Sequence, residues 1–264
     1  MRAGRRIGII GYGAIGRDLC RRLAADGLQP AIMLRPGSPS RAAVPGDLPV
    51  VAGVDDLIAA RPAVVVEAAG QKALDENAEA VLRAGIPLVA ASTGALADAE
   101  LFARLEGAAR EGGSRLVVPA GALGGVDYLA ALRGTADAAV RYTSRKPPAA
   151  WVAELAAAGH DPAQLPGAIV LYEGSPAEAA RLYPRNLNAG LTVALAAAPA
   201  PVTVRVVADP AVSLNTHEIE VESALGTAFM RFANRPAPDN PKTSALTAAS
   251  LAAAVRRLLD PVSL

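Results

Sequence analysis

His217 stands in the segment Asn215-Thr216-His217-Glu218-Ile219-Glu220-Val221-Glu222. The two-residue period of a strand puts His217, Ile219 and Val221 on one face, with Thr216, Glu218, Glu220 and Glu222 on the other. Two readings fit that spacing: a satisfied core histidine, and a general acid/base lining a cleft. The spacing alone leans to the first. The carboxylates behind it read as a solvated sheet face, because no His/Cys/Asp cluster has metal-ligand spacing. His160, in Ala-Gly-His-Asp-Pro, reads as a solvated loop histidine. Neither a Gly-x-Ser-x-Gly elbow nor a Cys–His nucleophile arrangement is present.

A second group of residues suits an anion. Ile7, Ile9 and Ile10 form a short apolar run, followed by Gly11-Tyr12-Gly13-Ala14-Ile15-Gly16 and then an Ala/Arg/Leu-rich stretch with helical spacing. This is strand, glycine turn and helix. In a dinucleotide site Gly11 makes the tight turn, Gly13 lets the backbone approach a pyrophosphate, and Gly16 lets the helix lie close on the strand. The first N–H groups of the helix, near Ala14 and Ile15, then face the anion, which the helix dipole also favours. Ala68-Ala69-Gly70, at the end of another apolar run, leaves room for a ligand against the backbone. Where an NAD-binding domain often carries an acid for the ribose hydroxyls, this chain has Arg35-Pro36-Gly37-Ser38. Arg35 and Ser38 could hold the extra phosphate of NADP; equally, Arg35 could lie over adenine or face water. NAD and NADP both remain open.

Only three residues are lysine: Lys72, Lys146 and Lys242. Lys146 lies in Thr143-Ser144-Arg145-Lys146-Pro147-Pro148, and Lys242 in Asn240-Pro241-Lys242-Thr243-Ser244. Cations and hydroxyls at element ends suit small carboxylates; a surface loop and a helix N-cap explain the two segments as well. Asn188, after Tyr183-Pro184-Arg185-Asn186-Leu187, could cap a helix or present its amide to a ligand.

The elements around these residues fall into two patterns. Strands at 7–10, 30–34, 49–51, 63–67, 86–91 and 115–118 alternate with helices through to residue 111, as in a parallel sheet covered on both faces. The glycine turn, Ala68–Gly70, Ser92–Gly94 and Pro119–Gly125 all fall at the carboxyl ends of those strands, where such sheets bind ligands. Beyond a helix at 126–132, strands at 140–143, 169–172, 202–207, 217–222 and 227–232 cluster as an antiparallel or mixed sheet, with helices at 151–158, 175–182 and 188–198. A final helix is expected over 243–259. The fold class is α/β: a Rossmann domain over 1–120, a C-terminal α+β substrate and dimerisation domain over 121–240, and segment 241–264 packing back on the first domain.

With 26 basic and 25 acidic residues the formal charge is +1, and no basic stripe is visible, so nucleic acid is not an expected partner. No apolar run approaches the ~20 residues of a membrane span, so no membrane partner is expected. The lone Cys20 fits a reducing, cytoplasmic setting and reads as a small helix residue.

Together, GYGAIG, AAGQKAL, AASTGAL, VPAGALGG, TSRKPP, YPRNLNAGLTVALA, NTHEIEVE and NPKTSALTA run in the order of the L-aspartate dehydrogenase family, which the chain resembles over nearly its whole length. The resemblance implies a homodimer that oxidises L-aspartate with NAD or NADP to iminoaspartate, which water converts to oxaloacetate and ammonia; the imine can instead feed NAD biosynthesis. It matches His217 to the family's active-site histidine, and Ala122 and Asn188 to its NAD contacts. Gly11, Gly13, Ala14, Ile15, Gly16, Arg35, Ala69 and Gly70 complete the expected cofactor set. Ser144, Lys146, Asn215, Lys242 and Thr243 are the candidates for holding substrate. His217 could take the amine proton or activate the water that attacks the imine. The alternatives are another oxidoreductase of this architecture, similar to homoserine dehydrogenase or dihydrodipicolinate reductase, and a nucleotide-binding sensor without catalysis.

Overall fold

The computed structural model describes residues 4–183, 188–238 and 240–262, and for 240–242 the backbone alone. The chain forms two compact units, Met1–Gly121 with Thr247–Leu264, and Ala122–Leu246.

The first unit alternates strand and helix: β1 (Arg6–Ile10), α1 (Ala14–Ala25), β2 (Gln29–Met33), β3 (Val50–Val51), α2 (Val54–Ala59), β4 (Val64–Glu67), α3 (Gln71–Arg83), β5 (Leu88–Ala90), α4 (Ala99–Glu111) and β6 (Leu116–Val117). The sheet order is β3-β2-β1-β4-β5-β6, parallel throughout. Chain direction across the sheet reverses on either side of β1, and the glycine turn leaves β1 at that switch point. Both sheet faces are covered, which is why the strands are apolar runs rather than alternating ones. On one face Ile7, Ile9, Val64 and Val66 meet Leu19 and Leu23 of α1 and Leu251, Ala252 and Val255 of the C-terminal helix. On the other, Leu57 of α2 and Val65 close over Gly8, where an added Cβ would meet them at 3.2 and 3.0 Å.

The start of α3 is fixed by a glycine, and the start of the C-terminal helix differs from expectation. α3 begins at Gln71, because Gly70, at φ +118°, turns the chain straight into the helix. The C-terminal helix spans Leu246–Leu259 and does not begin at Thr243. Residues 240–244 are instead a strand paired with Pro236–Ala237. Ser244 Oγ accepts the Leu246 N–H at 3.1 Å and so marks the change from ladder to helix.

The second unit contains α5 (Val126–Ala131), β7 (Ala139–Lys146), α6 (Val152–Ala157), β8 (Ile169–Gly174), α7 (Pro176–Leu182), α8 (Asn188–Ala197), β9 (Val202–Ala208), β10 (Asn215–Ser223), β11 (Gly226–Asn234), β12 (Pro236–Ala237) and β13 (Asn240–Ser244). Its main sheet runs β11-β10-β7-β9-β8. Only the β7–β9 pair is parallel, so the sheet is mixed. Ser223 pairs with Gly226 around the two-residue turn Ala224-Leu225. Ser175 Oγ caps α7 by accepting the Glu178 N–H. Glu178 does not complete a capping box, since its carboxylate takes the Tyr172 hydroxyl instead.

β7 runs three residues beyond Thr143. Ser144, Arg145 and Lys146 are paired to Val206, Val207 and Ala208 on one side, and Ser144 and Arg145 to His217 and Thr216 on the other. The surface-loop explanation of 143–148 therefore fails for the first four residues: ladder partners on both sides keep the strand going until Pro147, which has no N–H to offer.

Candidate active site

The first unit carries a cleft of about 400 Å³ at the carboxyl ends of β1, β2 and β4, lined by Gly11, Gly13, Leu34, Arg35, Ser38 and Ala69 among others. The three glycines of the turn do different work. Gly11 sits at φ +96°, and a Cβ there would lie 2.7 Å from Ala69 Cβ. A Cβ on Gly16 would lie 2.4 Å from the Gly11 carbonyl oxygen, so helix and turn touch at that point. A Cβ on Gly13 would meet nothing within 4 Å. The open space over Gly13, on a turn held rigid from both sides, is what a pyrophosphate needs, so these residues fit a dinucleotide. Ala14 and Ile15 open α1 next to it. Gly70 caps α3 and lies just outside the cleft lining. Arg35 reaches the cleft with Ser38, Ser40 and Lys72, and Lys72 Nζ is 3.5 Å from Glu76.

Glu67 is the residue here that sequence reasoning missed. It ends β4 wholly buried, and its carboxylate accepts four hydrogen bonds: from the N–H groups of Ala69 (2.7 Å), Gly70 (2.8 Å) and Ser92 (3.0 Å) and from Ser92 Oγ (3.0 Å). It ties the loop after β4 to the loop after β5. Burial pushes its carboxyl above the usual range, while the four donors pull the other way. Because the Ala69 and Gly70 amides are committed to Glu67, neither is a free donor for a ligand, and of the two expected cofactor contacts only Ala69 lines the cleft. The available signal was a single acid closing the run Val64-Val65-Val66, directly before three small residues.

In the second unit, β10 lies between β7 and β11. This brings Tyr142, Ser144 and Lys146 onto one face with Asn215, His217, Ile219 and Val221. All seven are less than a tenth exposed. His217 Nδ1 lies 2.7 Å from the Tyr142 hydroxyl, and the two rings stack with centroids 6.0 Å apart and planes inclined by 16°. Burial, and next the Lys146 charge, push the His217 pKa down to about 4, so the imidazole is neutral at pH 7. Burial pushes the Tyr142 phenol well above its ordinary value, so it keeps its proton. Lys146 Nζ sits 5.2 Å over the ring of the buried Trp151. Ser144 Oγ, fully buried, lies close enough to the Tyr142 phenol to pull its pKa down, against the larger effect of burial. A proton acceptor, a cation and two hydroxyls thus share one nearly dry face. The satisfied-core reading of His217 accounts for Nδ1 but leaves this neighbourhood unexplained.

Other candidates lie around that face. Asn215 pairs with Asn234, whose amide donates to the Ala122 carbonyl at 2.7 Å and ties the second glycine turn to β11. Gly124 and Gly125 lie against Phe232 and Met230 of the same strand; a Cβ on Gly124 would be 2.9 Å from the Phe232 ring. Asn188 is the first residue of α8, half-buried, with its carbonyl accepting Thr192 Oγ1 at 3.1 Å. Residues 184–187 lie outside the described residues. Thr243 is half-buried in β13, while the side chain of Lys242 lies outside the described residues. His160 is exposed.

The reverse face of β10 is less solvated than its carboxylates suggest. Thr216 is 1% exposed. Glu218 is held by Arg145 at 2.9 Å and Arg231 at 3.3 Å, one from each flanking strand. Only Glu220, paired with Arg141 at 3.3 Å, and Glu222 keep to the outside. No helix among the described residues is long and apolar enough to cross a membrane.

Residues 127–258 match the family model described as "Aspartate dehydrogenase, C-terminal", and residues 11–119 the model described as "Homoserine dehydrogenase, NAD binding domain". The chain is 47% identical over 258 residues to L-aspartate dehydrogenase 2 of Bordetella bronchiseptica, spanning 96% of this chain and 97% of that protein. It is 38% identical over 253 residues to the L-aspartate dehydrogenase of Ruegeria pomeroyi, spanning 96% and 92%. Its fold is similar to the crystal structure of aspartate dehydrogenase from Thermotoga maritima, with a TM-score of 0.78 and 28% identity over 98% and 99% of the two chains. A hyperthermophilic archaeal homoserine dehydrogenase in complex with NADPH shares the fold at a TM-score of 0.63 and 13% identity, over 97% and 98%. With 47% identity across nearly the full length of both proteins, and a family model matched over residues 127–258, the chain belongs to the L-aspartate dehydrogenase family.

Proposed function

We propose that this chain oxidises L-aspartate with NAD or NADP to iminoaspartate, which is hydrolysed to oxaloacetate and ammonia, and that it runs the reverse reductive amination. The observation that carries the reading is His217: a buried, neutral imidazole on one sheet face with Lys146 and Ser144. The bound nicotinamide supplies the acceptor for the hydride leaving Cα. The remaining chemistry belongs to the chain. Gly11, Gly13 and Gly16 bring backbone up to the pyrophosphate, with the N–H groups at Ala14 and Ile15 toward its charge. Arg35 serves the ribose end and tolerates either cofactor; Ala69, Ala122 and Asn188 complete the contacts, with Gly70 turning the chain behind them. Lys146 and Lys242, with Ser144, Asn215 and Thr243, hold the two carboxylates of aspartate.

As two electrons leave Cα with the hydride, the nitrogen lone pair forms the C=N bond and the amine gives up a proton. Neutral His217 takes that proton, or takes one from the water that adds to the imine carbon before ammonia leaves. The reading extends to a cytoplasmic homodimer and to delivery of iminoaspartate toward NAD biosynthesis. Absorbance of the reduced nicotinamide tests it, with L-aspartate offered alongside NAD and then NADP, and oxaloacetate with ammonia for the reverse. Selective turnover of L-aspartate over L-homoserine, L-glutamate and D-aspartate is expected. Bound NADH with no turnover in either direction would overturn both the substrate and the role of His217.

A further inference from the structure

We propose that Tyr142 is a positioning residue for His217: its hydroxyl oxygen accepts the Nδ1–H, so that Nε2 is the unprotonated ring nitrogen presented to the reacting amine or water. This rests on the reading of His217 given above. Tyr142 is fully buried and His217 is 5% exposed, and the 2.7 Å contact joins the Tyr142 hydroxyl to one of the two imidazole nitrogens. Leaving either group unpaired at that depth carries the full desolvation penalty, so the contact is strongly held.

The neighbours explain why the hydroxyl matters. An imidazole has two nitrogens, and which one is free for chemistry depends on the partner of the other. His217 is opposite Phe232 on β11 and Ser144 on β7. Phe232 offers no hydrogen bond, whereas Ser144 Oγ acts on the Tyr142 phenol and can accept the phenol's own proton. With its own proton turned to Ser144, the Tyr142 oxygen is an acceptor for Nδ1–H, and that contact distinguishes the two ring nitrogens. Its ring, nearly parallel to the imidazole, also limits rotation of His217 about its outer torsion. The packing is separable from this role, because a phenylalanine ring would fill the same space among Val204 and Ile219, the ladder partners of Tyr142. The hydroxyl is what phenylalanine lacks.

The test is Tyr142→Phe beside His217→Ala, each assayed for kcat, KM for aspartate, NADH affinity and Tm, with ring ¹⁵N signals of His217 followed in the parent and in Tyr142→Phe. The parent is expected to show one dominant imidazole tautomer, protonated at Nδ1, and Tyr142→Phe a mixture of two. With the ring released, kcat is expected to fall on the order of 10- to 100-fold, with KM and NADH affinity within about twofold. A parent histidine that already exchanges between tautomers, or that carries its proton on Nε2, overturns the proposal without any variant. So does a Tyr142→Phe enzyme with parental kcat, or one with lowered Tm and unchanged ring signals. The two failures are distinguishable. Turnover retained in His217→Ala removes His217 from the reaction and the proposal with it, whereas an inactive His217→Ala beside a parent-like Tyr142→Phe leaves the function standing and removes only Tyr142.

Discussion

The turn Gly11–Gly16 and the sheet face around His217 are assembled in opposite ways. The turn is six consecutive residues whose conformation follows from local rules: a positive φ at Gly11, a contact at Gly16 that excludes a side chain, and open space at Gly13. The His217 face draws on residues from 142 to 234, aligned only by the registers of three strands. The turn offers backbone to a ligand and needs no titrating side chain. The sheet face instead sets the protonation of its key group by removing water from it. A contiguous motif announces itself in one chain; a constellation built by pairing does not.

The sharpest way to break this comparison is to remove the imidazole. His217→Ala is expected to lower turnover on the order of 10²- to 10⁴-fold while NADH binding, followed by fluorescence, is spared. Equal loss of both would mean that the two sites are not separable.

Next in size is a pH effect confined to the His217 face. The folded-state pKa of about 4 lies below the ordinary 6.5, so below pH 6.5 the unfolded chain binds a proton that the folded chain refuses. Stability from this group is complete above pH 6.5 and is lost as pH falls toward 4, on the order of 3 kcal/mol in all. Denaturant unfolding of parent and His217→Ala between pH 4 and 7 measures it. The variant's curve should be flatter over that window, and superimposable slopes would refute the buried neutral histidine.

Within the turn, the glycines should separate from one another. A Cβ on Gly16 meets a backbone oxygen that cannot give way, so Gly16→Ala is expected to cost about 1–3 kcal/mol of stability, read by thermal or denaturant unfolding. Gly13→Ala should leave stability within about 0.5 kcal/mol and weaken the nucleotide alone. Unchanged stability in Gly16→Ala would mean the helix does not need that contact. The smallest effect expected is at Arg35, where Arg35→Asp should weaken NADPH about tenfold relative to NADH, by titration of each. An unchanged ratio would place Arg35 in water.

Most of the first unit was legible, because each parallel strand is a short apolar run bounded by turn residues and each helix carries its own period. The misreadings arose where distant partners decide. Thr143 looked like the end of a strand because hydroxyls and cations follow it; pairing to Val206–Ala208 and to Thr216–His217 carries the strand to Lys146. Thr243 looked helical until β12 claimed residues 240–244 as a ladder. Glu218 looked solvated because the two arginines that cover it lie on other strands. Glu67 and Tyr142 escaped notice for the same reason: their roles are defined by Ser92 and His217, 25 and 75 positions away.

Local sequence determined the nucleotide turn, the alternation of strand and helix in the first unit, and the face of β10 on which His217 lies. These follow from steric limits at single residues and from periods of 2 and 3.6. Only the tertiary structure decided that His217 is neutral, that a phenol holds one of its nitrogens, and that Lys146 and Ser144 accompany it. Those properties come from desolvation and from ladder register, which are set by the assembled sheet and by no single stretch of the chain.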